Sequence, residues 1–160
     1  MQTFILGQLY PDQAGVYAGI VRAPAGGHDW HLFIPTDIHA EFAKLAWGGY
    51  GVRNQGAESN NNGLANTQAL IAADEIHPAA DACSRLAING LEDFYLPARN
   101  ELRLAMINVP ECFDRNVYWS STQVSNSRDD AWQQYFDVDC QTLSHKNSQN
   151  RVRAVRRELV

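Results

Sequence analysis

The residues best suited to hold a metal ion are two histidines and two short acidic stretches. His28 and His31 form a His-x-x-His spacing, but on a strand this spacing sends the two imidazoles to opposite faces, where they cannot share one ion. Acids within 129–130 and 137–139 offer the oxygen ligands that calcium prefers, without the spacing of an EF-hand loop. We therefore predict no metal site and no cofactor.

The candidate nucleophiles lack the neighbours that would activate them. Ser120 and Ser121 follow Trp119, but no histidine stands at a spacing that predicts a catalytic triad. Cys112 follows Glu111, and a neighbouring negative charge raises the pKa of a thiol and weakens its reactivity. The chain also contains no Gly-x-Ser-x-Gly, P-loop or Gly-x-Gly-x-x-Gly motif. We predict no catalytic residue and a function that is not enzymatic.

Cysteine usage and the N-terminal sequence indicate where the chain is made. The three cysteines are widely spaced and form no Cys-x-x-Cys motif, so a zinc or redox site is not indicated. The first residues contain no basic segment followed by a long apolar stretch, and no apolar run approaches the roughly 20 residues of a membrane span. We expect synthesis in a reducing cytoplasm without a signal peptide, three free thiols, and no membrane partner.

Length and charge limit the class of partner. The 160 residues are predicted to form a single domain, 1–160. The net charge of −5 repels a phosphate backbone, so we expect no nucleic-acid partner. Four arginines lie within 151–160; the favoured interpretation is packing of their stems and pairing with the acidic body, and an anion site is the alternative.

The elements that would position these residues indicate an α+β fold in three parts. The N-terminal part, 1–35, is predicted as a β meander with strands at 2–6, 16–22 and 29–35. The middle part, 36–108, is predicted as helical around a long Gly- and Asn-rich loop at 48–65. Its helices are expected from an N-cap at Thr36 to Gly48, from Asn66 or Thr67 to Ile76, over 78–88 and over 98–108, with a short strand at 94–97.

The C-terminal part, 116–157, is predicted as a second β meander with strands at 116–122, 131–138, 140–145 and 151–155. Aromatic and apolar residues within these strands are expected to form the structural core, namely Trp119, Trp132, Phe136 and Val155.

Five short motifs follow one another between residues 96 and 157. They are Leu96-Pro97 with Glu101-Leu102, then Tyr118-Trp119-Ser120-Ser121-Thr122, then Ala131-Trp132 with Phe136, then Lys146, then Val152-Arg153-Ala154-Val155-Arg156-Arg157. In this order they resemble the Lcl C-terminal domain family, named for a bacterial collagen-like adhesin, over about residues 62–157. Together with the segments Val16–Ile20, Trp30–Pro35 and Arg153–Arg157, these motifs look closest to stand-alone members encoded by tailed phages and prophages.

This resemblance implies a C-type-lectin-like fold, in which two helices lie beside small antiparallel sheets whose loops carry ligand specificity. It implies a phage tail or tail-fibre-associated domain, located in the virion after synthesis in the host cytoplasm. Its partner would be a host cell-surface receptor, protein or glycan, or another phage tail protein, with a homo-oligomer as a further possibility. One alternative is a purely structural virion component. The other is an enzyme related to formylglycine-generating oxidases, which is disfavoured because no two cysteines are close in sequence.

We expect ligand binding on the polar loops 121–130 and 139–150, with help from 48–65, because binding residues concentrate on loops carried by rigid scaffolds. Amide, charged and aromatic side chains there offer both donors and acceptors. The predicted ligand-binding residues are Gln123, Asn126, Arg128, Asp129, Tyr135, Gln141, His145, Lys146 and Asn147.

Overall fold

The first sheet is built around two strands that are almost wholly apolar, β2 (Gly15–Val21) and β3 (Trp30–Pro35). A computed structural model describes residues 2–160 and shows an α+β fold with two sheets and three helices. In the first sheet, β1 (Leu9–Tyr10) pairs with β2, and the C-terminal strand β9 (Arg156–Leu159) pairs with β3, giving the order β1-β2-β3-β9 with every pair antiparallel.

The second sheet contains the strands expected in the C-terminal part. Its strands are β4 (Glu41–Ala46), β5 (Val117–Gln123), β6 (Asp130–Tyr135), β7 (Cys140–His145) and β8 (Gln149–Arg153). They are ordered β4-β8-β5-β6-β7, and only the contact of β5 with β8 is parallel. The order places β4 and β7 at the two edges of this sheet.

Three helices connect the sheets: α1 (Gly63–Ala72), α2 (Pro78–Ser84) and α3 (Arg99–Asn108). The Asn62 side chain caps α1 by accepting a hydrogen bond from the Ala65 N–H at 3.0 Å, and Pro78 opens α2 at a position where no donor is required. The predicted helix at 98–108 is confirmed to within one residue. The other two end earlier than expected, at Ala72 and Ser84.

The predicted helix after Thr36 is wrong. A single 3₁₀ turn, Ile38–Ala40, is capped by Asp37, and the chain then continues as β4. A β-bulge lies between Phe42 and Leu45 where β4 pairs with β8. The extra residue turns both side chains toward the same core, so a strand acquires the three-residue apolar spacing that is typical of a helix.

Two short predicted strands are also corrected. Residues 2–6 form no strand; the Phe4 ring lies instead on the aromatic face of the first sheet, with its centroid 5.0 Å from that of Phe33. Residues 94–97 contribute one isolated bridge, Tyr95 with Val155. The predicted strand at 151–155 divides at Ala154, and its continuation is β9, which joins the other sheet.

Apolar side chains between the sheets and helices form two core clusters. Three of the four predicted core residues, Trp119, Phe136 and Val155, are buried. Trp132 is not: it is only partly buried, and its ring faces the first turn of α3. The assignment of Trp132 to the core is therefore corrected, because β6 directs this ring toward the polar N-terminal end of a helix.

Candidate binding surface

The connection between β5 and β6, Val124–Asp129, is a tight turn organised by one buried amide. The Gln123 Nε2 atom donates to the carbonyl oxygens of Val124 at 3.0 Å, Ser127 at 2.7 Å and Asp130 at 3.1 Å. Gln123 is only 1% exposed. Its donors are already used to hold the turn, and its contact with a ligand stays a prediction.

A buried ammonium group fixes the same turn from beneath. Lys146 Nζ donates to the carbonyl oxygen of Val52 and to Gln123 Oε1, both at 2.6 Å, and lies 4.9 Å from the centroid of the Trp47 ring. Burial lowers the pKa of Lys146 to about 8, against the opposing effect of Asp129 and other nearby acids.

Lys146 is 0% exposed, so it acts within the fold, and its contact with a ligand stays a prediction. It joins the loop near Val52 to the base of the hairpin. The buried side chains of Lys146 and Gln123 are bonded to one another and together make the hairpin tip a preformed feature of the surface.

One groove beside this tip is built around a stacked arginine and tryptophan. The Arg99 guanidinium carbon lies 3.4 Å from the centroid of the Trp132 ring. Arg99 and Gln141 also exchange two hydrogen bonds, Nε to Oε1 at 3.1 Å and Nε2 to the Arg99 carbonyl oxygen at 2.6 Å. We call this cavity of about 320 Å³ the Trp132 groove; its lining residues are Glu58, Asn60, Arg99, Gln123, Val124, Ser125, Asn126 and Trp132.

A second groove adjoins the first across the hairpin tip. We call this cavity of about 370 Å³ the Arg128 groove; its lining residues are Arg53, Gln55, Ser125, Asn126, Ser127 and Arg128. Ser125 and Asn126 line both grooves and are exposed. An ion pair of Arg53 Nε with Glu58 Oε1 at 2.6 Å joins a residue of each groove, so the two form one surface around the tip.

The remaining predicted residues are divided between this surface and its surroundings. His145 is exposed, and its Nδ1 lies 3.0 Å from Asp130 Oδ1. Asn147 is exposed in the turn after β7, and Asp129 is partly exposed beside Arg128.

Tyr135 lies at the far end of β6. Five residues of extended chain separate it from Asp130, which corresponds to about 17 Å. The structure therefore does not bring Tyr135 to the hairpin tip, and its place among the ligand-binding residues stays a prediction.

Sequence reasoning missed the contributions of Arg99, Asn60 and Arg53. Arg99 is the first residue of a helix, and its position beside Trp132 follows from α3 packing on β5 and β6. The available signal was the residue type of Trp132 itself, since tryptophan is large and is rarely buried completely.

Other reactive groups in the described part of the chain do not assemble into a site. Within residues 2–160, no three His, Cys, Asp or Glu side chains are grouped closely enough to hold a metal ion, and no helix is long and apolar enough to cross a membrane. All three cysteines are free thiols, and burial raises the pKa of Cys83 and of Cys112.

No protein-family model matches the chain, and no curated protein matches its sequence. Its function is accordingly inferred from the geometry of the two grooves together with the sequence motifs.

Proposed function

We propose that the chain is a C-type-lectin-like binding domain of a phage tail or tail fibre, which attaches to a host surface structure or to another virion protein through the surface around the hairpin tip. The observation that carries the proposal is the pair of adjoining grooves, with an arginine–tryptophan stack, on a turn that internal hydrogen bonds hold in place.

The rigidity of the turn favours binding. Gln123 and Lys146 contact the turn and the neighbouring loop from within. A surface that is already ordered loses little conformational entropy when a partner binds, so more of the contact energy remains as affinity.

The exposed side chains are of the types that dominate binding energy at interfaces. Tryptophan and arginine are enriched among the residues whose truncation weakens protein complexes most. Within residues 2–160, neither Arg99 nor Arg128 has a carboxylate oxygen within 4.0 Å. Arg99 Nε donates to Gln141, and the remaining guanidinium donors of the two arginines are left for a partner. Asn60 and Asn126 add both donors and acceptors beside them.

The groups that might act as nucleophiles are used in structural hydrogen bonds, which supports a role without catalysis. Ser120 Oγ donates to the Trp132 carbonyl oxygen at 2.7 Å, and Thr122 Oγ1 donates to the Ser59 carbonyl oxygen at 3.0 Å. Ser121 Oγ accepts from the Asn66 side chain at 3.2 Å.

The resemblance to the Lcl C-terminal domain family supplies the phage context and the finer description of the fold. The matching motifs lie at structurally important places. Tyr118 and Trp119 are buried in β5, and Glu101 caps α3. Helices beside an antiparallel sheet with a functional hairpin are what that resemblance leads one to expect.

The proposal is tested with the double variant Arg99→Ala/Arg128→Ala, which removes one cation from each groove. We expect attachment to host cells or to tail structures to weaken by more than about tenfold, because truncating central arginines typically removes at least about 2 kcal/mol. The matched control is Arg22→Ala/Arg115→Ala, which makes the same change in net charge at two exposed positions outside the grooves.

Circular dichroism should show that both double variants fold like wild type. If the first variant folds and attaches as well as the control, the hairpin-tip surface is not the binding site.

A further inference from the structure

Three of the four sheet edges carry features that discourage pairing with another chain. β1 has only two residues, β9 consists mainly of charged side chains, and β4 is interrupted by the bulge between Phe42 and Leu45 and carries Lys44. Short length, charge and bulges are the usual means by which proteins prevent strands from adding to an exposed edge.

The fourth edge, β7, has none of these features. Its six residues, Cys140–His145, include no lysine, arginine, carboxylate, proline or glycine. Its register with β6 runs without a bulge from Cys140 to His145. Leu143, at its centre, is 47% exposed. A regular, uncharged edge with an exposed leucine is an open template for another strand.

The hydrogen bonds around β7 establish which of its residues face outward. The Lys146 N–H donates to the Asp129 carbonyl oxygen at 2.8 Å, so this N–H points toward β6. On the other side of β6, the Asp130 carbonyl oxygen and the Phe136 N–H bond to Val124 and Asn116, so both residues face β5 and the residues between them at odd positions face β7. In an antiparallel ladder this direction alternates along the strand. Ser144, Thr142 and Cys140 therefore also point toward β6, while the N–H and C=O groups of residues 141, 143 and 145 point away from the sheet.

This outward set is symmetric about its middle residue. When two copies of β7 are placed antiparallel with Leu143 opposite Leu143, Gln141 falls opposite His145 on both sides of the axis. The central Leu143 pair exchanges two backbone hydrogen bonds. In each outer pair the His145 N–H donates to the Gln141 carbonyl oxygen, while the His145 carbonyl oxygen already accepts from the Ser148 N–H of its own turn at 2.9 Å. The leucine side chains meet on the axis, on the face where Leu143 also lies opposite Trp132 within each copy.

We propose that two copies of this chain associate through antiparallel pairing of their β7 strands about a twofold axis at Leu143. The pairing joins the two five-stranded sheets into one continuous sheet. A second copy fits this edge because a twofold interface must be self-complementary, and the outward residues satisfy that condition. The strand carries no formally charged side chain with histidine neutral, so two copies of an acidic protein can approach here with little repulsion.

Sedimentation equilibrium over a range of concentrations tests the proposal. We expect the mass to rise from 17.9 kDa to twice that value as concentration increases. Dilution should dissociate the pair, because a single strand pair buries less than the roughly 1,200 Å² of stable interfaces. Leu143→Lys places two ammonium groups on the axis and should give a monomer at every concentration.

The matched control is Ile107→Lys, at an apolar residue on α3 that is 65% exposed; it should dimerise like wild type. Circular dichroism confirms folding of both variants. A wild-type protein that stays monomeric at all concentrations, or a dimer that persists in Leu143→Lys, overturns the proposal.

A cross-link tests the register itself. Hydrogen-bonded antiparallel pairs have Cα atoms about 5.5 Å apart, within the range that a disulfide spans. Leu143→Cys in a Cys140→Ser background should therefore oxidise to a covalent dimer, whereas Ile107→Cys in the same background should not. Absence of the Leu143→Cys cross-link under conditions where the protein is dimeric overturns the Leu143-centred pairing.

Discussion

The Glu101 carboxylate accepts four hydrogen bonds in the interior and so connects the helical region to the first sheet. Its Oε1 accepts from Trp30 Nε1 at 2.9 Å and from the Tyr95 hydroxyl at 2.7 Å. Its Oε2 accepts from the N–H groups of Ala98 at 2.8 Å and Gly63 at 3.2 Å. Since Ala98 has no side-chain acceptor for the first turn of α3, this carboxylate supplies the cap. We predict that Glu101→Gln destabilises the fold.

The size of this destabilisation depends on which carboxylate oxygen the NH₂ group of the new glutamine replaces. An NH₂ at the Oε2 position faces two backbone donors, Ala98 and Gly63, and leaves both without an acceptor. At the Oε1 position it faces the Tyr95 hydroxyl, which can rotate to accept, and the Trp30 N–H, which cannot. The second arrangement is favoured, and one unpaired buried donor costs about 1–3 kcal/mol. We expect this loss in the free energy of unfolding at pH 8.

The loss should be larger in acid. Burial raises the pKa of Glu101 from its usual 4.5 to about 7, against hydrogen bonds that lower it. Because the carboxyl group binds its proton more tightly in the folded state, protonation stabilises the fold. This stabilisation is complete below about pH 4.5 and is lost as the pH rises through 7. Glutamine does not titrate, so the difference between wild type and variant should be greater at pH 5 than at pH 8, by up to about 3 kcal/mol.

Urea denaturation followed by tryptophan fluorescence at the two pH values measures both quantities. The matched control is Glu92→Gln, an exposed position where we expect a change within about 0.5 kcal/mol. If Glu101→Gln changes the free energy of unfolding by no more than this control at either pH, the buried carboxylate does not hold the cap, and the reasoning is refuted.

Three further predictions concern stability. Lys146→Met removes the ammonium donor to the Val52 carbonyl oxygen and one of the two donors to Gln123 Oε1, and should destabilise by about 1–3 kcal/mol at pH 10. Burial lowers the pKa of Lys146 from 10.5 to about 8, so the stability advantage of the wild type should shrink as the pH falls from 10.5 to about 8; a loss that is constant with pH contradicts this. Trp119→Ala should cost about 3–5 kcal/mol in urea denaturation and the partly exposed Trp132→Ala clearly less; equal losses would place both in the core. EDTA or a mild reductant should leave the melting temperature unchanged, and a fall beyond about 10 °C would contradict folding without metal or disulfide.

The sequence predicted the elements whose local residue pattern matches the structure that they adopt in the folded protein. Strand β7 was predicted with its observed bounds, and α3 to within one residue. Local pattern misled at Phe42 and Leu45, because a bulge gives a strand the apolar spacing of a helix. The pairing that produces the bulge involves β8, more than 100 residues later, and no local window contains it.

The predicted ligand-binding residues on the β5–β6 hairpin and the adjoining turn differ in how they are placed. Asn126 and Arg128 are exposed at the tip, whereas Gln123 and Lys146 are buried beneath it. Polarity indicates that a side chain needs hydrogen-bond partners, without indicating whether those partners are water, ligand or protein. For Gln123 and Lys146 the partners are each other and nearby carbonyl groups, a contact between residues 23 positions apart.

The two proposals together predict a bivalent surface. Trp132 lies opposite Leu143 in register, and in the proposed dimer Leu143 lies opposite its own copy. The two Trp132 residues are then separated by three strand spacings, or about 14 Å, with both on the same face of the continuous sheet. A multivalent partner could engage both Trp132 grooves at once, which raises apparent affinity without any new contact. Leu143→Lys should therefore weaken attachment to intact host cells or tail structures, while leaving the affinity for a monovalent fragment of the same partner unchanged. An equal loss in both assays would mean that Leu143 contacts the partner directly, and no loss in either would mean that the grooves act independently.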